Sequence, residues 1–282
     1  MKADRRKGAG RGTKIEATPA RRRIVYAPVT FSEEGGVRYL HFGTEWVQGA
    51  MRLRKPDALE LEYAQQMMAW SLFIDAPRAI TQLGLGAAAL TRFCHRHYPD
   101  AQITAVELNP AVVIAARSMF GLPDDDRSLE VIVGDAQTYV DDEERHGTLD
   151  ALQVDLYDAT ARGPVLESEA FYAACRACLR SPGVLTVNLF GVHASFARNM
   201  RSLKAAFDGR VVALPEVHEG NRVAIAFSGP PLSVPWTTLR ERAAVIAWTL
   251  KLPASTWVDG LREGSCERPT KGRPVDPATF RV

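Results

Sequence analysis

The sequence predicts an α/β protein, in which a small N-terminal β domain precedes an open, mostly parallel sheet of seven strands. Three observations carry that prediction. Short apolar runs alternate with helical patterns along most of the 282 residues, acids end the second, third and fourth runs of the series, and the final two runs are separated by only a short turn. Alternation gives parallel strands with helices packed on the sheet, and the closing pair adds an antiparallel edge.

In chain order, residues 1–22 are polar and rich in Gly, Lys and Arg without apolar periodicity, and are expected to be a disordered basic tail. Residues 23–54 hold three runs rich in β-branched and aromatic residues, IVYAPVTF, VRYLHFG and EWVQGAMRL, broken at Glu33–Gly36 and at Gly43–Thr44, which predict the small β domain. Residues 55–252 are the large domain. Pro56 opens a helix running to Phe73, with Leu59, Tyr63, Gln66, Met67 and Ser71 on one stripe. Ala79–Leu83 is the first strand of the large sheet, Gly84 and Gly86 turn the chain, Ala87–His97 is a helix, and Ile103–Val106 is the second strand. A helix over Pro110–Met119 leads to a third strand, SLEVIVGDA, ending at Asp135, and ALQVDLYDA is a fourth, ending at Asp155 and Asp158. There follow a helix over Glu167–Leu179, the strand GVLTVNLFG, a helix over His193–Phe207, the strands VVALPEV and RVAIAFSG about the turn His218–Asn221, and a last helix, Trp236–Leu250. Residues 253–282 are expected to wrap as loop.

The chemistry concentrates after the first strand of the large sheet. Glycines let the backbone turn tightly and approach a ligand, a helix start offers unpaired N–H groups, and Glu107, twenty-one residues after Gly86, is placed to accept both hydroxyls of a ribose. Ligands of open α/β sheets bind beyond the carboxyl ends of the strands, so Gly84, Glu107, Asp135 and Asp155 are expected to converge on one crevice. Acids ending three successive strands, with a closing antiparallel pair, predict a Rossmann-like sheet of the S-adenosylmethionine-methyltransferase type rather than a dehydrogenase.

Composition narrows the classes further. Residues 1–23 carry nine Lys or Arg against Asp4 and Glu16, net +7, so the rest of the chain holds −5 of the overall +2. With no interleaved aromatics the tail reads as solvated, and nucleic acid is not an expected partner. No apolar run approaches the roughly 18 residues of a membrane span and no signal-peptide centre is present, so a cytoplasmic protein without a membrane partner is expected. Cys94, Cys175, Cys178 and Cys266 suggest no disulfide framework, Cys175 and Cys178 sit mid-helix with no second ligand pair, and the six His lack ligand spacing, so no metal is expected.

From about Gly43 to Phe227 the sequence resembles the spermidine synthase (polyamine aminopropyltransferase) family, as a divergent member. The residues that carry the resemblance are a loose counterpart of the family's G-x-x-Q over Thr44–Gln48, Tyr63 on the following helix, the turn LGLGAAAL, Glu107 and the GDA of Gly134–Ala136. Most specific are DLYDATARGP, with Asp155 and Asp158, and the E-x-F-Y and P-G-V-L patterns of ESEAFYAACRACLRSPGVLTVN. The resemblance implies transfer of an aminopropyl group from decarboxylated S-adenosylmethionine to a diamine such as putrescine, without a metal, in a homodimer. It implies Asp155 as the base, Asp158 as the partner of the far ammonium, Tyr63 and Tyr157 around the cationic substrate, and Gln48, Gly84, Gly86, Glu107 and Asp135 around the nucleoside.

The likeness breaks at Ala87–Ala89, where the family has an aspartate that binds the amine of the aminopropyl group, and at Ala64 and Gln65 after the tyrosine. Two further readings therefore stand beside the first: a methyltransferase using S-adenosylmethionine itself, and a nucleoside-binding relative without turnover.

Overall fold

The structure is a computed structural model that describes residues 26–157, 165–218, 220–265 and 278–282. The basic tail, Asp158 and Cys266 lie outside the described residues. Strands β1 (Thr30–Glu34), β2 (Val37–His41) and β3 (Val47–Arg52) form an antiparallel sheet in that order, turned at Gly35–Gly36. The first strand starts later than its apolar run, at Thr30, because Pro28 has no N–H to give to a ladder.

The helix expected from Pro56 begins only at Glu62, as α1 (Glu62–Gln66), and continues as a 3-10 helix over Met67–Leu72. Residues 56–61 turn instead, with Leu59 buried, Glu60 paired to Arg52, and the Gln65 amide donating to Leu59 O at 2.9 Å. The tightening at Met67 also has a visible cause. Gln153 Nε2 (3.0 Å) and Thr186 Oγ1 (3.1 Å), both buried in the large sheet, donate to the Met67 carbonyl and draw it from the α-helical ladder.

Strand β4 (Ala79–Leu83), helix α2 (Ala89–His97) and strand β5 (Gln102–Glu107) form the central βαβ unit. Helix α3 (Pro110–Phe120) is capped by Asn109, whose side chain accepts from Ala111 N, and ends at Gly121 in the left-handed region. Strand β6 (Leu129–Val133), the short helix α4 (Ala136–Val140), β7 (Leu149–Val154), α5 (Glu169–Cys178), β8 (Leu179–Phe190), α6 (Ser195–Ala206), β9 (Val211–Ala213) and β10 (Asn221–Ser228) complete the sheet in the order β6-β5-β4-β7-β8-β10-β9. All neighbours from β6 to β8 are parallel, and β10 runs antiparallel between β8 and β9. This is the predicted seven-stranded sheet, beside a three-stranded N-terminal one. One apolar layer, with Trp70, Phe93, Val112 and Trp257, covers one face, and a second, with Tyr139, Tyr172, Cys175 and Phe207, covers the other.

Beyond the sheet come β11 (Ser233–Pro235), α7 (Trp236–Leu250), α8 (Ala254–Ser265) and β12 (Thr279–Arg281), the last pairing antiparallel with β11. The expected loop from residue 253 is therefore corrected: residues 254–265 are helical, because Ala254, Trp257, Val258 and Leu261 recur at helical spacing and all are buried. Among the described residues no helix is long and apolar enough to cross a membrane, and no group of three or more His, Cys, Asp or Glu is arranged to hold a metal.

Register places the site. Leu83 at the end of β4 lies opposite Val106 of β5 and Val154 of β7, so the three strands stop at one level and Gly84, Glu107 and Asp155 leave the sheet together. The strand order reverses at β4, which opens a crevice at these carboxyl ends.

Candidate active site

A cavity of about 570 Å³ lies in that crevice, roofed by the β2–β3 connection. Gln48, Tyr63, Gly84, Gly86, Glu107, Asp135, Asp155 and Tyr157 all line it, so every described residue singled out from the sequence is brought to one place.

The turn after β4 needs its glycines. Gly84 has φ +96°, and a Cβ there would stand 2.2 Å from Asp155 O; Gly86 has φ +52°, with Gln48 O 3.0 Å from the corresponding point. Across the cleft a Cβ on Gly49 would meet the Ala87 Cβ at 2.7 Å, so the roof rests on the turn through a glycine–alanine contact. Buried Arg92 of α2 secures this arrangement by donating to Ala88 O at 3.2 Å and to Pro56 O at 2.7 Å, and burial lowers its guanidinium to about 10, opposed by the charge of Asp57.

Glu107 is buried. Its Oε1 accepts from Asn109 N at 2.8 Å and its Oε2 from Leu85 N at 3.1 Å. Burial raises its pKa, opposed by the N–H groups of Asn109, Leu85, Gly86 and Leu108. Asp135 both lines the cavity and caps α4, accepting from Thr138 N at 3.0 Å.

Asp155 sits in the cavity wall. Asn188 Nδ2 donates to its Oδ1 at 2.8 Å, and the Tyr63 hydroxyl stands 3.4 Å from its Oδ2. Desolvation raises its pKa, and the contacts with Asn188 and Tyr63 moderate the rise. Tyr157 donates its hydroxyl to Asn188 O at 3.1 Å, and its own ionisation is pushed up by burial and by the Asp155 charge. Asn221 Nδ2 donates to Asn188 Oδ1 at 2.9 Å. Asn188 and Asn221 were not singled out from the sequence; the available signal was a polar residue inside the apolar run GVLTVNLFG.

The electrostatics of the lining are one-sided. Among the described residues the cavity presents Glu45, Glu107, Asp135 and Asp155, and no Lys, Arg or His lines it. Such a surface suits a cationic ligand and repels a carboxylate.

No protein-family model matches the chain. A polyamine aminopropyltransferase from Chromobacterium violaceum is 34% identical over 250 residues, covering 87% of this chain and 95% of the relative. Among solved structures, a probable spermidine synthase from Corynebacterium glutamicum matches with a TM-score of 0.66 at 20% identity, over 89% of this chain and 95% of that one. Human methyltransferase-like protein 13, solved in complex with SAH, matches with a TM-score of 0.60 at 24% identity, over 68% of this chain and 94% of that one. These two structural likenesses show the fold.

Proposed function

The chain belongs to the polyamine aminopropyltransferase family, and from that premise we propose that it transfers an aminopropyl group from decarboxylated S-adenosylmethionine to a small diamine such as putrescine. The observation that carries this reading is the cavity lined by acids and by no basic side chain among the described residues. Both proposed substrates are cations, whereas S-adenosylmethionine keeps a carboxylate that this lining repels. The SAH held by the human methyltransferase-like relative supports a nucleoside of this class in the same fold.

In this reading the Gly84–Gly86 turn receives the nucleoside, Glu107 takes the ribose hydroxyls, and Asp135 and Gln48 border the remainder. An alkyl ammonium has a pKa near roughly 10, so the diamine arrives protonated. Asp155 accepts one proton from the attacking ammonium. The freed nitrogen lone pair forms a bond to the carbon next to the sulfonium, and the carbon–sulfur pair leaves with sulfur as a neutral thioether. The product nitrogen carries the positive charge that sulfur gave up. Tyr63 and Tyr157 line the cavity around these cations, and Asp158 takes the far ammonium.

Ala87 leaves the aminopropyl ammonium without the family's aspartate. Glu45, exposed on the cavity rim four residues before the Gly49 that packs on Ala87, is the carboxylate available to it. The reading extends to a homodimer, as the family resemblance implies, and to a cytoplasmic location.

Calorimetric titration with S-adenosylmethionine, its decarboxylated form and methylthioadenosine tests the proposal. Tighter binding of the decarboxylated form is expected, with the preference reduced in Glu45→Gln. Tighter binding of S-adenosylmethionine overturns it in favour of methyl transfer.

A further inference from the structure

We infer that Asn188, with its amide turned by Asn221, reserves the Oδ2 oxygen of Asp155 to receive the proton of the attacking amine; the role of that proton rests on the transfer reading above. The two oxygens of Asp155 are not equivalent. Oδ1 accepts a firm bond from Asn188 Nδ2 at 2.8 Å, whereas among the described residues Oδ2 faces the Tyr63 hydroxyl at 3.4 Å, beyond the usual reach of an O–H···O bond. A group that can only donate keeps a proton off the oxygen it faces, so the proton goes to Oδ2.

The asymmetry depends on which end of the Asn188 amide faces Asp155, and the surroundings decide that. Asn221 Nδ2 donates to Asn188 Oδ1 at 2.9 Å, so a flipped amide would set donor against donor there and acceptor against carboxylate at Asp155. Asn188 is buried on β8, which is paired on one side with β7 and on the other with β10, and its backbone carbonyl is taken by the Tyr157 hydroxyl. It has no freedom to turn away.

Among the described residues, three face Asp155. Tyr63 comes from α1, Tyr157 from the exit of β7, and Asn188 from β8. The cavity's other acids are Glu45, Glu107 and Asp135, and no cation lines it among the described residues. Donation from Asn188 therefore opposes the rise that burial imposes on Asp155, and Asn188 and Asn221 are positioning residues for the base.

The test is to follow the ionisation of Asp155 directly, by the carboxyl carbon resonance of carbon-13-labelled aspartate, assigned by its loss in Asp155→Asn. Wild type, Asn188→Leu, Asn188→Asp and Asn221→Ala are titrated, together with the pH profile of kcat/KM for aminopropyl transfer. Removing the donor raises the midpoint; a rise of about one pH unit lowers activity at the wild-type midpoint about fivefold, with a larger rise for Asn188→Asp and a smaller one for Asn221→Ala. Asn221→Ala, at the first residue of β10, keeps the test valid if a β8 variant fails to fold. Midpoints unchanged in the folded variants overturn the inference, even if activity falls. A wild type that transfers nothing, but whose Asp155 resonance shifts in the variants as described, upholds the positioning of Asp155 by Asn188 and overturns the transfer reading instead.

Discussion

Asp155 is held by one firm donor and one distant hydroxyl, an arrangement that makes its charge unfavourable. Its folded pKa lies above the ordinary value, so the protonated form favours folding and the stability it gives is lost as pH rises through the raised pKa. Asp155→Asn keeps the bond from Asn188 and removes the charge. We expect it to lower transfer by at least about 100-fold while raising Tm at neutral pH, a gain that shrinks as pH falls through the raised pKa toward the ordinary carboxylate value. Asp126 is the opposite case. Donation from the Ser128 backbone and hydroxyl, with help from Leu129 N and His95, lowers it to about 2, so its stabilisation is present above the unfolded value and lost as pH falls toward about 2. Asp126→Ala is expected to flatten acid denaturation in that window, read by thermal melts. At this scale Gly84, Glu107 and Asp155 were legible because spacing within one βαβ unit and a strand end places them. Asn188 and Asn221 were not, because their roles arise from cross-strand pairing that no local pattern announces.

Elements were legible where periodicity acted alone. Strand β4 and helix α7 match their expected spans, Ala79–Leu83 and Trp236–Leu250. Helix α8 was missed although its apolar spacing is regular, since Gly260 and Gly264 inside it read as breakers. Both are there for contact: a Cβ on Gly260 would stand 2.4 Å from the Pro215 ring, and one on Gly264 would stand 3.0 Å from Ala213 O. Gly260→Ala should thus destabilise by about 1–3 kcal/mol through overpacking, despite a helix-propensity gain of up to about 1 kcal/mol. Leu261→Ala, at a fully buried position, should cost about 2–5 kcal/mol. Chemical denaturation measures both. The late start of α1 was hidden for another reason, since the Arg52–Glu60 pair and the buried Leu59 are tertiary contacts that override local helical preference.

For the whole molecule, alternation and the acids at strand ends were enough to foresee the mixed seven-stranded sheet and the crevice. They did not say that β10 would sit inside and the three-residue β9 outside, because a turn fixes only that two strands are neighbours. A short strand suits the edge, where it leaves few unpaired groups. The cleft itself depends on the small sheet meeting the turn at Gly49 and Ala87. Gly49→Val is therefore expected to weaken methylthioadenosine binding at least about tenfold by lifting the roof, with the large sheet's melting little changed, as calorimetry and circular dichroism would record. The most direct measurement is product analysis by mass spectrometry after incubation with decarboxylated S-adenosylmethionine and putrescine, alongside S-adenosylmethionine as the alternative donor. The account predicts methylthioadenosine and spermidine in equal amounts from the decarboxylated donor only. A methylated acceptor with S-adenosylmethionine, or no product from either donor, would contradict it.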